Sequence, residues 1–284
     1  MTDLTAVASL PRRLSPLTRP AGSTAQLLIT QVAMEVRRYR RIPEYFIGVV
    51  VLPILLYTMF GLPEAGKALP LGTDIGAMMF VSFGCYGVVS QALFSFGGEL
   101  ATERSKGWLR RLRATPMPMW VYFAGKVALN LVFTLVSLGG MAAVAVVAGH
   151  VTFDVSRLIA ASTILLTGVV AFSTMGSAIA YWVRPRAVST IVNLVFLPLS
   201  FLSGFFYPLE QLPDLFAKVA QVLPTYHFGQ LAWGVMAPAQ DVASFGNPPG
   251  GTTVGHVAVI FSWFVGCGIL TILGYRRELD RERQ

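Results

Sequence analysis

The sequence predicts an all-α integral membrane protein with six transmembrane helices. Only 13% of the 284 residues are charged, against about 25% in soluble globular proteins. Apolar residues make up 54% of the chain, and they come in runs long enough to cross a bilayer. The formal net charge of +8 lies in basic clusters between those runs, which is typical of a membrane protein rather than of a nucleic-acid-binding protein.

Six apolar stretches reach the length of about 20 residues that a helix needs to cross the hydrocarbon core. The third is longer than necessary, so we expect it to tilt or to begin in the interface. Together the six form a transmembrane domain over residues 42–275. The spans are placed at residues 42–60, 75–96, 120–148, 158–183, 187–206 and 254–275.

The segment before the first span has the pattern of an amphipathic helix. A polar tail at residues 1–22 is followed by residues 23–41, which end in a cluster of arginines. Within that stretch Leu28, Val32 and Val36 recur at helical spacing. A basic amphipathic helix beside a span is typical of the membrane interface, where anionic lipids attract it. We therefore predict an N-terminal interfacial helix that contacts membrane lipid.

The basic residues lie almost entirely on one side of the predicted membrane. Eighteen belong to the N-terminal segment, the loop after span two, the turn after span four and the C-terminal tail at residues 276–284. Three, namely Lys67, Arg157 and Lys218, belong to the opposite side. By the positive-inside rule, both termini are expected in the cytoplasm. The predicted location is the inner or plasma membrane of the cell, crossed several times.

Signatures of an enzyme are missing from the sequence. There is no His-Glu-x-x-His zinc motif and no Gly-x-Ser-x-Gly elbow, and Cys85 and Cys267 lack metal-ligand spacing. Residues 61–67 have the glycine and lysine spacing of a phosphate-binding loop, but Ala68 stands where Mg²⁺ requires Ser or Thr. We therefore predict no catalytic residue, no metal site and no cofactor in this chain.

Fixed charges are scarce inside the predicted spans. No carboxylate lies at mid-membrane, whereas ion-coupled transporters usually keep charged groups there, so the energy for any transport should come from outside this chain. Polar residues inside the spans are expected to form interhelical hydrogen bonds; they include Ser82, Ser90, Gln91, Asn130, Asn193 and Ser203. His150, His227 and His256 are expected to be lone interfacial residues.

The loop between spans two and three, residues 99–118, carries the most informative pattern. Leu109 and Leu112 give it an apolar edge at helical spacing, and charges of both signs crowd the rest. Two interpretations stay open. The charges set only the orientation, or an amphipathic helix under the membrane forms a docking surface for a soluble partner. The helix should end before Pro116, because the residue before a proline avoids the helical conformation.

These residues resemble the pattern of type-2 ABC exporter permeases, and a second match follows span five. The first match comprises Glu103, Arg104, Gly107, Leu109, Leu112, Thr115 and Pro116, followed by Gly125 and Lys126. The second match lies in residues 201–224 and comprises Gly204, Pro208, Pro213 and Pro224. Trp108 departs from the family, which usually has a threonine there. The resemblance covers essentially the whole chain.

The resemblance implies a cytoplasmic coupling helix built from the first set of residues, and short extracellular re-entrant helices at the second set. It also implies a separate ATPase subunit, which would bind ATP and Mg²⁺, and a second permease copy or homologue. Glu103 and Arg104 are expected at the start of the coupling helix. Glu103 and Gly107 are expected to face water, with Gly107 allowing either a turn or a close approach.

The predicted function is that of the permease subunit of an ATP-driven exporter that moves an amphiphile, such as a drug, an antibiotic or a lipid-like molecule. The aromatic residues of span two are weak support, since such side chains more often pack than bind. Candidate residues of the substrate path are Phe80, Phe83, Tyr86, Phe94 and Asn193. One alternative is a non-transporting assembly or regulatory subunit. A membrane-embedded enzyme is less favoured, because the sequence has no catalytic constellation.

Overall fold

The computed structural model describes residues 24–39, 46–115 and 117–283. In that part of the chain every regular element is a helix and no strand is present. Six helices are long and apolar enough to cross a membrane. The predicted fold class is therefore confirmed. The predicted tail at 1–22, most of the junction before span one and Pro116 lie outside the described residues.

The six long helices coincide with the six apolar stretches of the sequence. They are α2 (Ile47–Glu64), α3 (Ile75–Ser105), α5 (Met119–Val147), α6 (Val155–Trp182), α7 (Pro185–Leu202) and α11 (Thr253–Arg283). Two helices are longer than predicted: α3 continues to Ser105 through a π-helical segment at Phe94–Glu99, whereas the sequence placed the end of span two at residue 96, and α11 continues to Arg283, past the predicted end of span six at residue 275.

Shorter helices lie before the spans and between them. They are α1 (Thr24–Tyr39), α4 (Trp108–Arg113), α8 (Asp214–Ala220), α9 (Pro224–Met236) and α10 (Ala239–Ser244), with a 3₁₀ turn at Leu209–Gln211. We call the end of the bundle near the α3–α4 turn the α4 end. The opposite end, which carries residues 203–252, is called the loop end.

Helix α3 is the centre of the bundle, since 89% of its apolar window is buried, whereas α11 lies at the periphery with 11% buried. Glycines let the neighbours of α3 approach its backbone closely. A Cβ atom at Gly84 would lie 2.8 Å from Leu165 Cδ1 on α6, and one at Gly97 would lie 2.7 Å from Val192 Cγ2 on α7. The small residues of α3 therefore allow its neighbours to pack closely around it at the centre of the bundle.

Helix α1 packs along the first half of α5. Its buried residues are Gln31, Glu35 and Tyr39, while Leu28, Val32 and Val36 are only half-buried. Gly125 of α5 gives room for this contact, because a Cβ atom there would lie 2.5 Å from Gln31 Cγ. The buried face of α1 is thus more polar than its apolar spacing indicated.

The predicted pair of short helices before span six is present at the loop end. Pro213 immediately precedes α8, and Pro224 is the first residue of α9, as expected for prolines at helix starts. Helix α9 packs against α3, α6 and α11. Its Trp233 indole donates a hydrogen bond of 3.1 Å to Ser82 Oγ of α3, about 10 Å along that helix from its start.

Candidate functional site

The candidate site begins at the sharp turn between α3 and α4. Gly107 has a φ of 68°, in the left-handed region that favours glycine. No heavy atom lies within 4 Å of the position that a Cβ atom would occupy there. The predicted turn at Gly107 is therefore present, and the open space leaves the close approach of a partner a prediction.

Helix α4 has one buried edge and one exposed face. Leu109 is 2% exposed, and Leu112 packs against the same core, which confirms the predicted apolar edge. Trp108 is 47% exposed, and Arg111 is exposed beside it. The hydroxyl of Thr115 donates a 2.6 Å hydrogen bond to the Leu112 carbonyl just after the helix ends.

Glu103 does not face water, so that prediction was wrong. It is 5% exposed, and its carboxylate accepts hydrogen bonds from the Tyr122 hydroxyl and from Lys126 Nζ at 3.3 Å. The reason is the length of α3. Because this helix continues to Ser105, Glu103 belongs to the end of a span and contacts α5, instead of starting a separate surface helix.

Lys126 is the centre of a buried charge cluster. Its residue exposure is 0%, and Nζ lies 3.3 Å from the Glu103 carboxylate and 3.5 Å from that of Glu99. The Tyr39 hydroxyl of α1 also donates to Glu99. Two carboxylates therefore compensate the desolvation of one ammonium group, and the cluster joins α1, α3 and α5.

Arg104 reaches in the opposite direction. Its Nε donates a 2.8 Å hydrogen bond to Glu278 of α11, and its terminal nitrogen donates to the Ala180 carbonyl of α6. The guanidinium carbon lies 4.4 Å from the centre of the Tyr181 ring. Two consecutive residues thus connect the end of α3 to three other spans, Glu103 to α5 and Arg104 to α6 and α11.

A polar seam continues from this cluster between α3 and α5. Asn130 Nδ2 donates to the Lys126 carbonyl at 2.8 Å and to Ser95 Oγ at 3.1 Å. Gln91 Nε2 donates to the Asn130 carbonyl at 2.8 Å, and its Oε1 accepts from Thr134 at 3.0 Å. The predicted interhelical hydrogen bonds of Gln91 and Asn130 are confirmed.

The predicted substrate-path residues separate into two environments. Phe80, Phe83 and Tyr86 are buried, and they pack edge-on against other aromatic rings. Phe94 is half-buried beside Phe196. Asn193 lies instead on the exposed side of α7, where its amide donates to the Ser189 carbonyl at 2.9 Å. A shared role of these five residues in a path stays a prediction.

At the loop end, Gly204 and Asn247 form a tight crossing. Gly204 has a φ of 81°, and a Cβ atom there would lie 2.3 Å from Asn247 Oδ1. The same oxygen accepts a 3.3 Å hydrogen bond from the Leu209 backbone, just after Pro208. Sequence reasoning missed Asn247, and no local pattern marks it.

Asp241 fixes a second crossing at this end. Its buried carboxylate accepts hydrogen bonds from the backbone N–H groups of Leu71 at 2.7 Å and Thr73 at 3.1 Å. Burial raises the pKa of Asp241, but the hydrogen bonds from Thr73 and Leu71 outweigh it and hold the pKa below its ordinary value. Sequence reasoning missed this residue as well.

Two of the three histidines pair with each other. His227 Nδ1 lies 2.7 Å from His256 Nδ1, and His227 Nε2 lies 2.9 Å from the Gln221 carbonyl. This contact joins α9 to the start of α11. The expectation of lone histidines was therefore wrong for this pair, whose members are separated by 29 positions.

The fold and the site define a multi-pass helical membrane protein in which a short helix with one exposed face follows a span whose end is joined to other spans by ion pairs. The family described as ABC-2 type transporter matches residues 26–236. The chain belongs to this family, and it is a transmembrane permease of the ABC type. The family implies association with an ABC ATPase.

One curated relative was also found. The chain is 23% identical over 207 residues to a protein named "Putative transport permease YvfS" from Bacillus subtilis (strain 168). The matched region covers 73% of this chain and 84% of that protein.

Proposed function

We propose that this chain is the permease subunit of an exporter that moves an amphiphilic molecule out of the cell. A separate ATPase subunit would bind ATP and Mg²⁺ and supply the energy. Two permease copies, or this chain and a homologue, would enclose the path. The complex would lie in the inner or plasma membrane of the cell, with both termini of this chain in the cytoplasm. The family and the permease relative support the transport class.

The proposal depends on the contacts of Glu103 and Arg104, which lie at the end of α3 just before the Gly107 turn. These two adjacent residues, called the fork below, contact different spans. A helix that transmits a movement needs a free face for the partner and a stiff connection to the spans. Helix α4 is exposed on one face. The fork connects the end of α3, which directly precedes α4, to α5, α6 and α11. Because breaking a buried charge pair is costly, a displacement of α4 would be passed on to these spans.

The docking surface for the ATPase is assigned to Trp108 and Arg111. Both are exposed, and they lie three positions apart, so they share one side of the helix. An exposed tryptophan beside an arginine has the composition of an interface hot spot. Glu103, in contrast, cannot contact the ATPase directly, because it is buried against Tyr122 and Lys126.

The exposed side of α7 supports a second copy and a path next to it. Asn193 is exposed there together with the apolar residues Leu194 and Leu197. A carboxamide that faces lipid hydrocarbon is unfavourable. The exposed position of Asn193 is therefore explained if this side of α7 faces another permease subunit or a path between the two subunits.

The proposal is tested by separating docking from transmission. The docking variants are Trp108→Ala and Arg111→Glu, and the transmission variants are Arg104→Gln and Glu278→Gln. Trp120→Ala is the control, since Trp120 is an equally exposed tryptophan outside α4. Each variant is expressed with the ATPase, and both ATPase co-purification and ATP-dependent extrusion of a fluorescent lipid-like amphiphile from proteoliposomes are measured.

Docking variants should lose co-purification, whereas transmission variants should keep it and lose extrusion. The control should behave like the wild type. If Trp108→Ala and Arg111→Glu both co-purify normally, α4 is not the docking helix. If the wild-type complex hydrolyses ATP but no amphiphile is moved, the proposed substrate class is wrong.

The orientation has its own test. A single cysteine at position 218 should react with a membrane-impermeant maleimide in intact cells, and one at position 106 should not, because the basic residues concentrate on the side of Lys106. The opposite labelling would place the termini outside.

A further inference from the structure

The two paired histidines at the loop end are buried and contact each other directly. His227 of α9 and His256 of α11 are 7% and 6% exposed, and their Nδ1 atoms lie 2.7 Å apart. Two nitrogen ligands of one tetrahedral Zn²⁺ would lie about 3.4 Å apart at bond lengths of about 2.0–2.1 Å. The shorter distance in this protein fits a hydrogen bond between the two imidazole rings.

The hydrogen bonds of the pair fix which nitrogen of each ring carries a hydrogen. His227 Nε2 lies 2.9 Å from the Gln221 carbonyl oxygen, which can only accept, so this nitrogen is a donor. In a neutral imidazole the other nitrogen is then an acceptor, and His256 Nδ1 must donate to His227 Nδ1. His256 Nε2 is consequently the bare nitrogen of its ring. It lies next to the exposed loop, 3.9 Å from the position of a Cβ atom at Gly251.

This arrangement accepts one additional proton but not two. A first proton on His256 Nε2 leaves the hydrogen bond between the rings in place and strengthens it, because the donor becomes charged. A second proton would have to bind His227 Nδ1. Two N–H groups on rings of like charge would then face each other at 2.7 Å. The contact must therefore open when the second proton binds.

The surroundings of the pair are mostly uncharged. Tyr226 is the neighbouring titratable group, with its ring 5.0 Å from that of His227 and 6.2 Å from that of His256. Burial raises the pKa of Tyr226 above its ordinary value, so its hydroxyl stays neutral. Helix α9 and residues 253–275 of α11 contain no Asp, Glu, Lys or Arg. On the elements around α9, the charged residues at this end are exposed or bonded to backbone groups, namely Asp74, Asp154, Arg157, Glu210, Asp214, Lys218 and Asp241.

We propose that the histidine pair is a pH-sensitive switch that keeps α9 against the start of α11 and releases it in acid. Because only the open form binds the second proton, the stability of the contact is lost as the pH falls. A contact that favours the closed form about tenfold opens about one pH unit below the ordinary histidine pKa of about 6.5.

The release of α9 would act on the centre of the bundle. The Trp233 indole of this helix donates to Ser82 of α3, so a movement of α9 changes a contact of the central span. In the proposed orientation the loop end faces the outside, and the switch would respond to external acid. The pairing itself depends neither on that orientation nor on the proposed export.

The tautomers are tested by nitrogen-15 solid-state NMR of the full-length protein in liposomes, with labelled histidine. The chain has three histidines, and His150→Asn identifies the signals of the third. Near neutral pH, His227 should carry its hydrogen at Nε2 and His256 at Nδ1. On acidification the pair should bind its two protons in separate steps, whereas the exposed His150 should titrate once, near its ordinary pKa of about 6.5. The same tautomer in both rings, or titration of both in step with His150, would overturn the proposal.

The opening is tested by hydrogen exchange of residues 228–232 in α9 and 257–260 in α11, relative to the intrinsic rate at each pH. Between about pH 7.5 and about pH 4.5 the exchange should rise about tenfold or more, as expected for the loss of one hydrogen bond to a charged group. His227→Asn and His256→Asn should each reduce this rise, because an amide can donate or accept but does not titrate. Either variant is sufficient if the other fails to fold.

His150→Asn is the matched control, and its exchange should rise as in the wild type. No rise in the wild type would mean that the pair does not open in acid. An equal rise in the wild type and the pair variants would assign the acid response to another part of the protein. Neither experiment involves the ATPase or an amphiphile, so ATPase co-purification reports separately on the proposed function.

Discussion

The two ends of the helix bundle are held together by different chemistry. At the α4 end, charged side chains on different spans pair with each other, as in Lys126 with Glu103 and Arg104 with Glu278. At the loop end, side chains bind the backbone of another segment, as Asp241 does at Leu71 and Thr73. The first kind of contact joins whole helices, and the second fixes the course of loops.

This difference indicates which end can pass on a movement. A buried charge cannot lose its partner without a large penalty, so helices joined by such pairs tend to shift together. A side chain that binds backbone N–H groups stabilises one loop conformation and gives no such linkage between spans. Substitutions at the α4 end should therefore cost more than comparable substitutions at the loop end.

The largest effect is expected for Glu103→Ala. It leaves Lys126 buried with only Glu99 nearby, at 3.5 Å, and breaking a buried pair costs about 3–5 kcal/mol. The matched control is Lys67→Ala at the loop end, where the exposed Lys67–Glu64 pair of 2.9 Å should contribute about 0–1 kcal/mol. Thermal unfolding in detergent, followed by tryptophan fluorescence, measures both.

Lys126→Met in the Glu103→Ala background should recover part of the loss, because it removes the uncompensated charge. If Glu103→Ala costs no more than Lys67→Ala, the buried cluster contributes nothing to stability and the contrast between the ends is lost.

A smaller effect is expected when the two left-handed glycines are compared. Alanine at Gly107, with a φ of 68° and open space, should cost only the backbone strain of about 1–2 kcal/mol. Alanine at Gly204 has similar strain and would also lie 2.3 Å from Asn247 Oδ1, so crowding should add about 1 kcal/mol or more.

The same thermal assay distinguishes the two contributions. Gly204→Ala combined with Asn247→Ala removes the crowding, although it also removes the hydrogen bond to Leu209. Equal destabilisation by Gly107→Ala and Gly204→Ala would show that the loop end has room to adjust.

Arg104→Gln should have a moderate effect on stability and a larger one on coupling. The Arg104 and Glu278 side chains are 14% and 22% exposed, so the loss of stability should be about 1.5 kcal/mol, the lower end for a hydrogen bond between charged groups. A double-mutant cycle with Glu278→Gln checks that the two residues act together. Fully additive losses in the cycle would mean that the pair is not a connection between α3 and α11.

The sequence predicts the helices of this protein better than it predicts their partners. Apolar runs mark the six spans, because burial in lipid requires about 20 apolar residues in a row. The end of α3 was missed because Glu99, Glu103 and Arg104 look like loop residues when their partners are unknown. Those partners come from α1, α5, α6 and α11, and only the packing of the bundle brings them together.

The loop end shows the same limit more strongly. Asp241 and Leu71 are 170 positions apart, and neither residue belongs to a pattern with a recognisable period. Pro213 and Pro224 were informative there, because Pro224 separates the two short helices, and a proline at the first turn, as expected for Pro213, loses no helical hydrogen bond. Local features such as helix starts can therefore be predicted from the sequence. Hydrogen bonds between a side chain and backbone groups far away in the sequence cannot.

The smallest effect is expected from the protonation of Asp241, and it is confined to acid. Because its pKa in the folded protein is lowered, this carboxylate adds stability above its ordinary pKa of about 4, and the contribution is lost as the pH falls through the lowered value. Asp241→Asn cannot titrate, so the difference in unfolding midpoint between wild type and variant should be constant above about pH 5 and should shrink below about pH 4. The difference between wild type and variant is measured rather than the wild-type curve alone, because other parts of the protein also respond to acid. A difference that persists unchanged at the acid limit would mean that the charge of Asp241 is not what holds Leu71 and Thr73 in place.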